Sequence, residues 1–72
     1  MKRSSFRRYG QRRYRLDAVH AMAFVFGAER WQLWGWVVYS HGKKTSGVEE
    51  TFLRARGKAL RVVRELTESE AL

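Results

Sequence analysis

The sequence predicts a small α+β domain, in which a three-stranded antiparallel sheet packs against one long C-terminal α-helix and a basic, extended N-terminal arm precedes both. Three observations support this prediction. Apolar residues recur with helical spacing through residues 46–66, and residues 31–40 are rich in aromatic and β-branched side chains. Residues 1–15 are basic and follow neither pattern. A chain of 72 residues has room for a single domain.

The helix is predicted to begin at Ser46. Ser46 and Glu49 have the spacing of a capping box, in which a hydroxyl and a carboxylate satisfy N–H groups of the first helical turn. From there, apolar side chains recur every three or four positions, which keeps one face of a helix apolar. These side chains are Val48, Phe52, Ala55, Ala59, Val62, Val63 and Leu66. Leu53 and Leu60 widen this face, which we expect to pack against the sheet.

The strands are predicted from the central part of the chain. Residues 31–40 form a strand with Leu33, Val37 and Tyr39 on one face and Trp34, Trp36 and Val38 on the other. We expect the first of these faces to meet the helix. Residues 16–26 suit either a buried strand or a short helix capped by Asp17, and their length favours the strand. Residues 41–44 are typical of a hairpin turn, and a short third strand is expected around residues 44–45.

The arm is predicted from a repeat that fits no regular structure. The triplet Arg-Arg-Tyr occurs at residues 7–9 and again at residues 12–14, and a spacing of five suits neither a helix nor a strand. Gly10 lies between the two copies and favours a flexible or turning segment. The predicted organisation is therefore a flexible basic arm at residues 1–15, the α+β domain at 16–68 and a frayed C-terminus at 69–72.

The charge of the chain predicts the class of its partner. The net charge is +8, and six arginines, one lysine and no acid lie among the first sixteen residues. Such a density attracts polyanions, and a guanidinium group binds phosphate through two parallel hydrogen bonds. Tyrosines placed between these arginines can stack on bases. The arm is therefore predicted to bind nucleic acid, with a solubilising tail as the alternative. The binding residues are predicted to be Arg7, Arg8, Tyr9, Arg12, Arg13, Tyr14 and Arg15.

Further candidate binding residues lie outside the arm. Trp34 and Trp36 are on the strand face predicted to point away from the helix, where they form a stacking platform or a partner-binding patch unless they belong to the core. Lys43 and Lys44 add positive charge at the predicted turn. The outer side of the helix carries a secondary basic stripe, for which a solvated face is the alternative. The stripe consists of Arg54, Lys58 and Arg61.

Catalysis, metals, cofactors and a small-molecule substrate are not expected. The sequence has no cysteine and no motif for metal or phosphate binding, and nothing in it brings His20 and His41 together. Residues 18–26 follow a basic stretch, as the apolar part of a signal peptide does, but the run contains His20 and comes directly after Asp17. A run of nine residues is also too short to span a bilayer. We expect a cytoplasmic protein without a membrane partner.

Part of the chain resembles a known DNA-binding module. The string Trp-Gly-Trp-Val-Val-Tyr at residues 34–39, Gly-Lys-Lys at 42–44, Thr-Phe at 51–52 and the alanine-bearing helix that follows resemble the arm-type module at the N-terminus of tyrosine recombinases. The resemblance covers residues 34–63, and it departs from the family at Leu53, where the family has a small polar residue. It implies a three-stranded sheet that lies in the major groove of DNA.

Two functions follow from these observations. The first is a non-catalytic nucleic-acid-binding protein, for DNA or RNA, and the repeated Arg-Arg-Tyr triplet favours it. The second is a small regulatory or inhibitory protein, such as a phage-encoded one, that docks on a larger host machine such as RNA polymerase. In that case the basic arm and the tryptophan-rich face would be the contact surfaces, and the strand that is apolar on both faces favours it. A ribosome-associated component is a third, weaker alternative.

Overall fold

The fold is an antiparallel sheet with an α-helix packed on one face. The computed structural model describes residues 6–18, 20–28 and 32–71, with side chains as far as Leu66, and these residues contain five strands and one helix. The strands pair in chain order. They are β1 (Arg7–Gly10), β2 (Arg13–Asp17), β3 (Met22–Gly27), β4 (Trp34–Ser40) and β5 (Lys43–Glu49), and the helix α1 spans Phe52–Ala71. The predicted α+β class with a C-terminal helix is confirmed, whereas the prediction of three strands is wrong.

The two additional strands, β1 and most of β2, come from the predicted arm. Residues 7–15 do not extend from the domain but form a hairpin at one edge of the sheet, in which Arg7 pairs with Arg15 and Arg8 pairs with Tyr14. A two-residue turn closes this hairpin, and Arg12 adopts a positive φ of 57° in it. The five-residue repeat therefore marks two strands on either side of a turn. Residues 1–5 of the predicted arm lie outside the described residues.

The ambiguous segment at residues 16–26 contributes to two strands. Leu16 and Asp17 end β2, and residues 22–26 belong to β3, so the preference for a strand over a helix is confirmed there. Leu16 pairs with Ala23, and Ala23 pairs with Val38, which places the three side chains on one face of the sheet.

The N-cap of the helix lies five residues later than predicted. Thr51 is its N-cap, because the backbone N–H of Arg54 donates to the Thr51 hydroxyl oxygen at 3.1 Å. Ser46 and Val48 lie instead in β5, where they pair with Val37 and Gly35 of β4. The predicted capping box at Ser46 is therefore wrong, since residues 46–49 have the extended conformation of β5 and not that of a helical turn. At its other end α1 continues to Ala71, through residues predicted to fray.

Loss of this cap has a measurable cost. Replacing Thr51 with alanine removes the oxygen that accepts from Arg54 and is expected to lower the free energy of unfolding by about 1 kcal/mol. In a domain of this size that corresponds to a fall of about 4–8 °C in the melting temperature, measurable by circular dichroism. Ser46→Ala is the control, and it should change stability by less than about 0.5 kcal/mol. An equal loss in both variants would contradict the placement of the cap.

The core lies between α1 and one face of the sheet. Its buried side chains are Leu16, Ala23, Val25, Trp36, Val38, Ala55, Ala59 and Val63. Trp36 and Val38 therefore face the helix, whereas Val37 and Tyr39 face away from it, which is the reverse of the prediction. Both faces of β4 are apolar, so alternation alone cannot identify the one that the helix covers. Fully buried Ala55 and Ala59 leave space on the helix for the indole of Trp36.

The outer side of α1 is polar. Leu53, predicted to widen the buried face, is 67% exposed, and the cations of the helix are exposed with it. These cations are Arg54, Arg56, Lys58, Arg61 and Arg64. Within the part of the chain that the structure describes, no helix combines the length and the apolar character that crossing a membrane requires.

Candidate functional site

The sheet face opposite α1, which we call the open face, carries a row of three aromatic rings. The ring of Phe24 in β3 lies 6.3 Å from that of Tyr9 in β1 and 6.1 Å from that of Tyr39 in β4, between ring centroids. Both contacts are edge-to-face, with interplanar angles of 76° and 78°. Tyr9 is 55% exposed and Tyr39 is 45% exposed. This aromatic row therefore offers ring surface to a ligand at both of its ends.

Strand register explains how the row forms. Phe24 pairs with Arg15 on one side and with Val37 on the other, so all three side chains project from the same face. Tyr39 is two residues beyond Val37 and therefore shares that face. Tyr9 lies where the register of β1 shifts between Arg8 and Gly10. An irregularity of this kind re-aims a side chain, and the Tyr9 ring reaches that of Phe24 two strands away.

Positive charge surrounds the aromatic row. Register places four cations on the open face, namely Arg7, Arg13, Arg15 and Lys44. The guanidinium carbon of Arg15 lies 5.8 Å from the centroid of the Phe24 ring, and its Nε donates to the carboxylate of Asp17 at 3.0 Å. Arg15 is thus held in place by contacts within the sheet. Arg7, Arg13 and Lys44 are exposed.

A groove lies beside the aromatic row, over β4 and β5. The Phe26 ring covers Gly35, where an added Cβ atom would come within 2.6 Å of the ring, so glycine is needed for this close approach. Val37, which is 9% exposed, forms the floor of the groove, and Tyr39 flanks it on the side away from Phe26. Lys44, Ser46 and Val48 form its rim on the edge strand β5. The groove is apolar at its base and polar along part of this rim.

Several predicted site residues have structural roles on the helix side instead. Tyr14 and Trp34 pack on Phe52 at the start of α1, at ring-centroid distances of 4.6 and 5.2 Å. Arg12 lies with its guanidinium carbon 4.6 Å from the centroid of the Trp34 ring and donates to the backbone oxygen of Leu33 at 3.2 Å. These contacts close one end of the core. Arg12, Tyr14 and Trp34 therefore have packing partners within the domain, although each is partly exposed, and their role in binding stays a prediction.

Trp36 is buried rather than part of an exposed tryptophan patch. Its side chain is 6% exposed, lies over Gly47 of β5 and donates from Nε1 to the carboxylate of Glu49 at 3.3 Å. Gly47 leaves room for the indole, since an added Cβ atom there would come within 2.8 Å of it. The prediction that Trp34 and Trp36 point away from the helix is wrong, because both faces of β4 are apolar and alternation alone does not identify the face that the helix covers.

The other predicted residues are exposed but lie apart from the open face. Arg8 donates from Nε to the backbone oxygen of Gly10 at 3.2 Å, within its own hairpin. Lys43 pairs with buried Ser40 and so projects to the opposite side of β5 from Lys44. The helical stripe is on the far side of the molecule. There the Nη1 atom of Arg54 lies 3.8 Å from the carboxylate of Glu50 as an exposed ion pair.

The structure also brings together residues that the sequence does not connect. Phe24 and Tyr39 complete the aromatic row. Phe24 could have been identified only by assigning residues 22–26 to a strand and by knowing which of its side chains project away from the helix. His20 and His41 come from different loops at one end of the sheet, and their rings are stacked with centroids 5.9 Å apart. Among the described residues there is no group of three or more histidine, cysteine, aspartate or glutamate side chains that could hold a metal ion.

No protein-family model, curated protein or solved structure matches this chain. The resemblance to the arm-type module of tyrosine recombinases therefore stays a prediction, and the function has to be inferred from the chemistry of the open face.

Proposed function

We propose that the protein binds single-stranded nucleic acid, without catalysis, on the open face of its sheet. The observation that carries this proposal is an exposed aromatic row bordered by arginines on a sheet face that no described element covers. Stacking on aromatic side chains and neutralisation by a basic surface are the two interactions by which proteins bind single strands. The Tyr9 and Tyr39 rings stack on bases, and Arg7 and Arg13 bind phosphates.

The arrangement of the arginines supports an anionic ligand. Arg7 and Arg15 are directly opposite each other in adjacent strands, and like charges in such positions destabilise a sheet. Asp17 engages Arg15, but Arg7 is exposed and lies beside it. A phosphate bound above the sheet, between the two guanidinium groups, would relieve this repulsion, because an arginine pair is well suited to phosphate oxygens.

The dimensions of the sheet favour a single strand over a duplex. Strands are spaced about 4.8 Å apart, so five of them span about 19 Å, which is wider than the major groove of B-DNA at about 12 Å. The whole open face cannot enter that groove. A duplex also hides the faces of its bases, whereas an unpaired strand presents them to aromatic rings.

The alternative function, docking on a large host machine, is less well supported. It relies on Trp34 and Trp36 as an exposed hydrophobic anchor, and both side chains are on the helix side of the sheet. The surface that remains combines aromatic rings with cations, which suits a polyanion better than an apolar protein patch. The sequence contains no cysteine and so needs no oxidising compartment to fold, which suits action in the cytoplasm.

A salt series with two matched variants tests the proposal. The open-face variant Arg7→Gln/Arg13→Gln and the helix variant Arg54→Gln/Arg61→Gln each remove two of the eight net positive charges, from +8 to +6. Binding to a labelled single strand of about 12 nucleotides is measured by fluorescence anisotropy. Each phosphate contact contributes about 0.7 to the slope of log K against log salt, so the open-face variant should lose about 1.4. The helix variant should keep the wild-type slope.

Two results would contradict the proposal. If the wild-type protein does not bind single strands at low salt, the open face does not have this function. If both variants lose affinity equally, binding depends on net charge and not on the arginines of the open face.

A further inference from the structure

The groove between Phe26 and Tyr39 is a concave site that stacking on the aromatic row does not use. Phe26 pairs with Gly35, and Tyr39 is four residues further along β4, so the two aromatic positions are separated by about 13 Å along the strand. Val37 lies between these two positions on the same face. Its side chain lines the bottom of the groove and is almost fully buried. The groove therefore has an apolar floor between two aromatic side chains, where a flat ring system can lie.

The rim of the groove supplies hydrogen-bonding groups on one side. Lys44 pairs with Tyr39 and Ser46 pairs with Val37, so both side chains project from the open face along β5. The ammonium group of lysine has three donors and no acceptor, whereas a serine hydroxyl can donate or accept. A ligand on the floor of the groove thus meets mainly donors at this rim, together with a positive charge.

These groups discriminate among the bases. Guanine presents O6 and N7 as acceptors, and thymine and uracil present the carbonyl oxygen O4. Cytosine presents an exocyclic amino group, which is a donor and would oppose the donors of Lys44, whereas adenine presents such a group beside the acceptor N7. The rim is therefore complementary to bases that carry a carbonyl oxygen at this edge, known as keto bases.

We infer that this groove is a pocket for one unpaired keto base, flanked by the rings of Phe26 and Tyr39 and read along its edge by Lys44 and Ser46. The inference rests on the proposed function, because the same single strand that stacks on the aromatic row supplies the base. Tyr39 belongs to both the row and the groove, so a strand that passes over it brings the next base to the pocket.

Base preference is measured with four single strands of equal length, made of uracil, hypoxanthine, cytosine or adenine nucleotides. Hypoxanthine keeps the O6 and N7 acceptors of guanine and lacks the N2 amino group, whose hydrogen bonds stabilise the four-stranded structures of guanine runs. The wild-type protein should bind the uracil and hypoxanthine strands about tenfold more tightly than the cytosine strand. Lys44→Met should reduce this preference to about twofold or less, and Ser46→Ala should reduce it partly.

Lys43→Met is the matched control, because it removes the same charge from the neighbouring position on the other side of β5. It should leave the base preference unchanged. If the wild-type protein binds all four strands equally with the expected salt dependence, the pocket is refuted while the proposed function stands. If Lys43→Met and Lys44→Met have equal effects, Lys44 acts only as a charge, and the inference is likewise overturned. Failure to bind any of the strands refutes the proposed function itself.

Discussion

Replacing Trp36 with alanine lowers the free energy of unfolding by about 3–5 kcal/mol. A domain of 72 residues is expected to have about 4–11 kcal/mol in total, so this variant is close to unfolded at physiological temperature. The indole is 6% exposed and fills the space between the helix alanines and Gly47. Its removal leaves a cavity that the backbone on both sides cannot close, and it also leaves the carboxylate of Glu49 without its donor.

Urea denaturation followed by far-ultraviolet circular dichroism measures this loss without relying on tryptophan fluorescence. Tyr39→Ala is the informative comparison, because the sequence predicts that Tyr39 faces the helix and the structure places it on the open face, 45% exposed. It should cost much less than Trp36→Ala. Leu53→Ala, at an exposed position of α1, should change stability by less than about 0.5 kcal/mol. A larger loss in Tyr39→Ala than in Trp36→Ala would show that the faces of β4 have been assigned the wrong way round.

Under the proposed function, the double variant Tyr9→Ala/Tyr39→Ala is expected to weaken binding to single strands by at least about 30-fold. Each base that stacks on an aromatic side chain contributes about 1–3 kcal/mol, and the two tyrosines are the exposed ends of the aromatic row. The dependence of affinity on salt should stay the same, because no phosphate contact is removed. Loss of affinity without a change in slope is therefore the expected signature of stacking, and anisotropy titrations over the same salt series measure both quantities.

Tyr9→Phe/Tyr39→Phe is the control for this variant. It keeps both rings and removes only the hydroxyl groups, so it should bind within about threefold of the wild-type protein. Wild-type affinity in the alanine variant would exclude the aromatic row from binding. A phenylalanine variant as weak as the alanine variant would show that the hydroxyl groups, rather than the ring faces, make the contact.

The parts of the fold that depend on local patterns could be predicted from the sequence. The apolar period of α1 and the aromatic and β-branched run of β4 identify one helix and one strand, and together they predict the α+β class. The hairpin at residues 7–15 could not be recognised in this way, because five of its residues are arginines, whose charged groups gain nothing from burial. The hairpin is stabilised by the pairing of β2 with β3, and local sequence does not report such pairing.

The start of α1 shows the same limit. Ser46 and Thr51 are both suitable N-cap residues, and the sequence around Ser46 fits a capping box better. Seven residue pairs between β4 and β5 extend the sheet through Glu49, and this pairing leaves Thr51 as the cap. The choice is thus made by tertiary structure. For the candidate site, Tyr9, Arg7 and Arg13 could be selected from the repeat, but Phe24 could not, since its role depends on which face of β3 the helix leaves open.

Arg12 holds the first hairpin in place on the domain. Its guanidinium group lies between Gly27 and the Trp34 ring and donates to Leu33, so it fastens the turn of the first hairpin to the chain segment before β4. Arg7 and Arg13 are in consequence already positioned when a ligand arrives. A flexible arm would lose about 1–2 kcal/mol of backbone entropy for each residue that becomes ordered on binding. The first hairpin has already lost this freedom during folding, so the phosphate contacts that we propose for it would contribute to affinity without a further entropic cost of ordering the backbone.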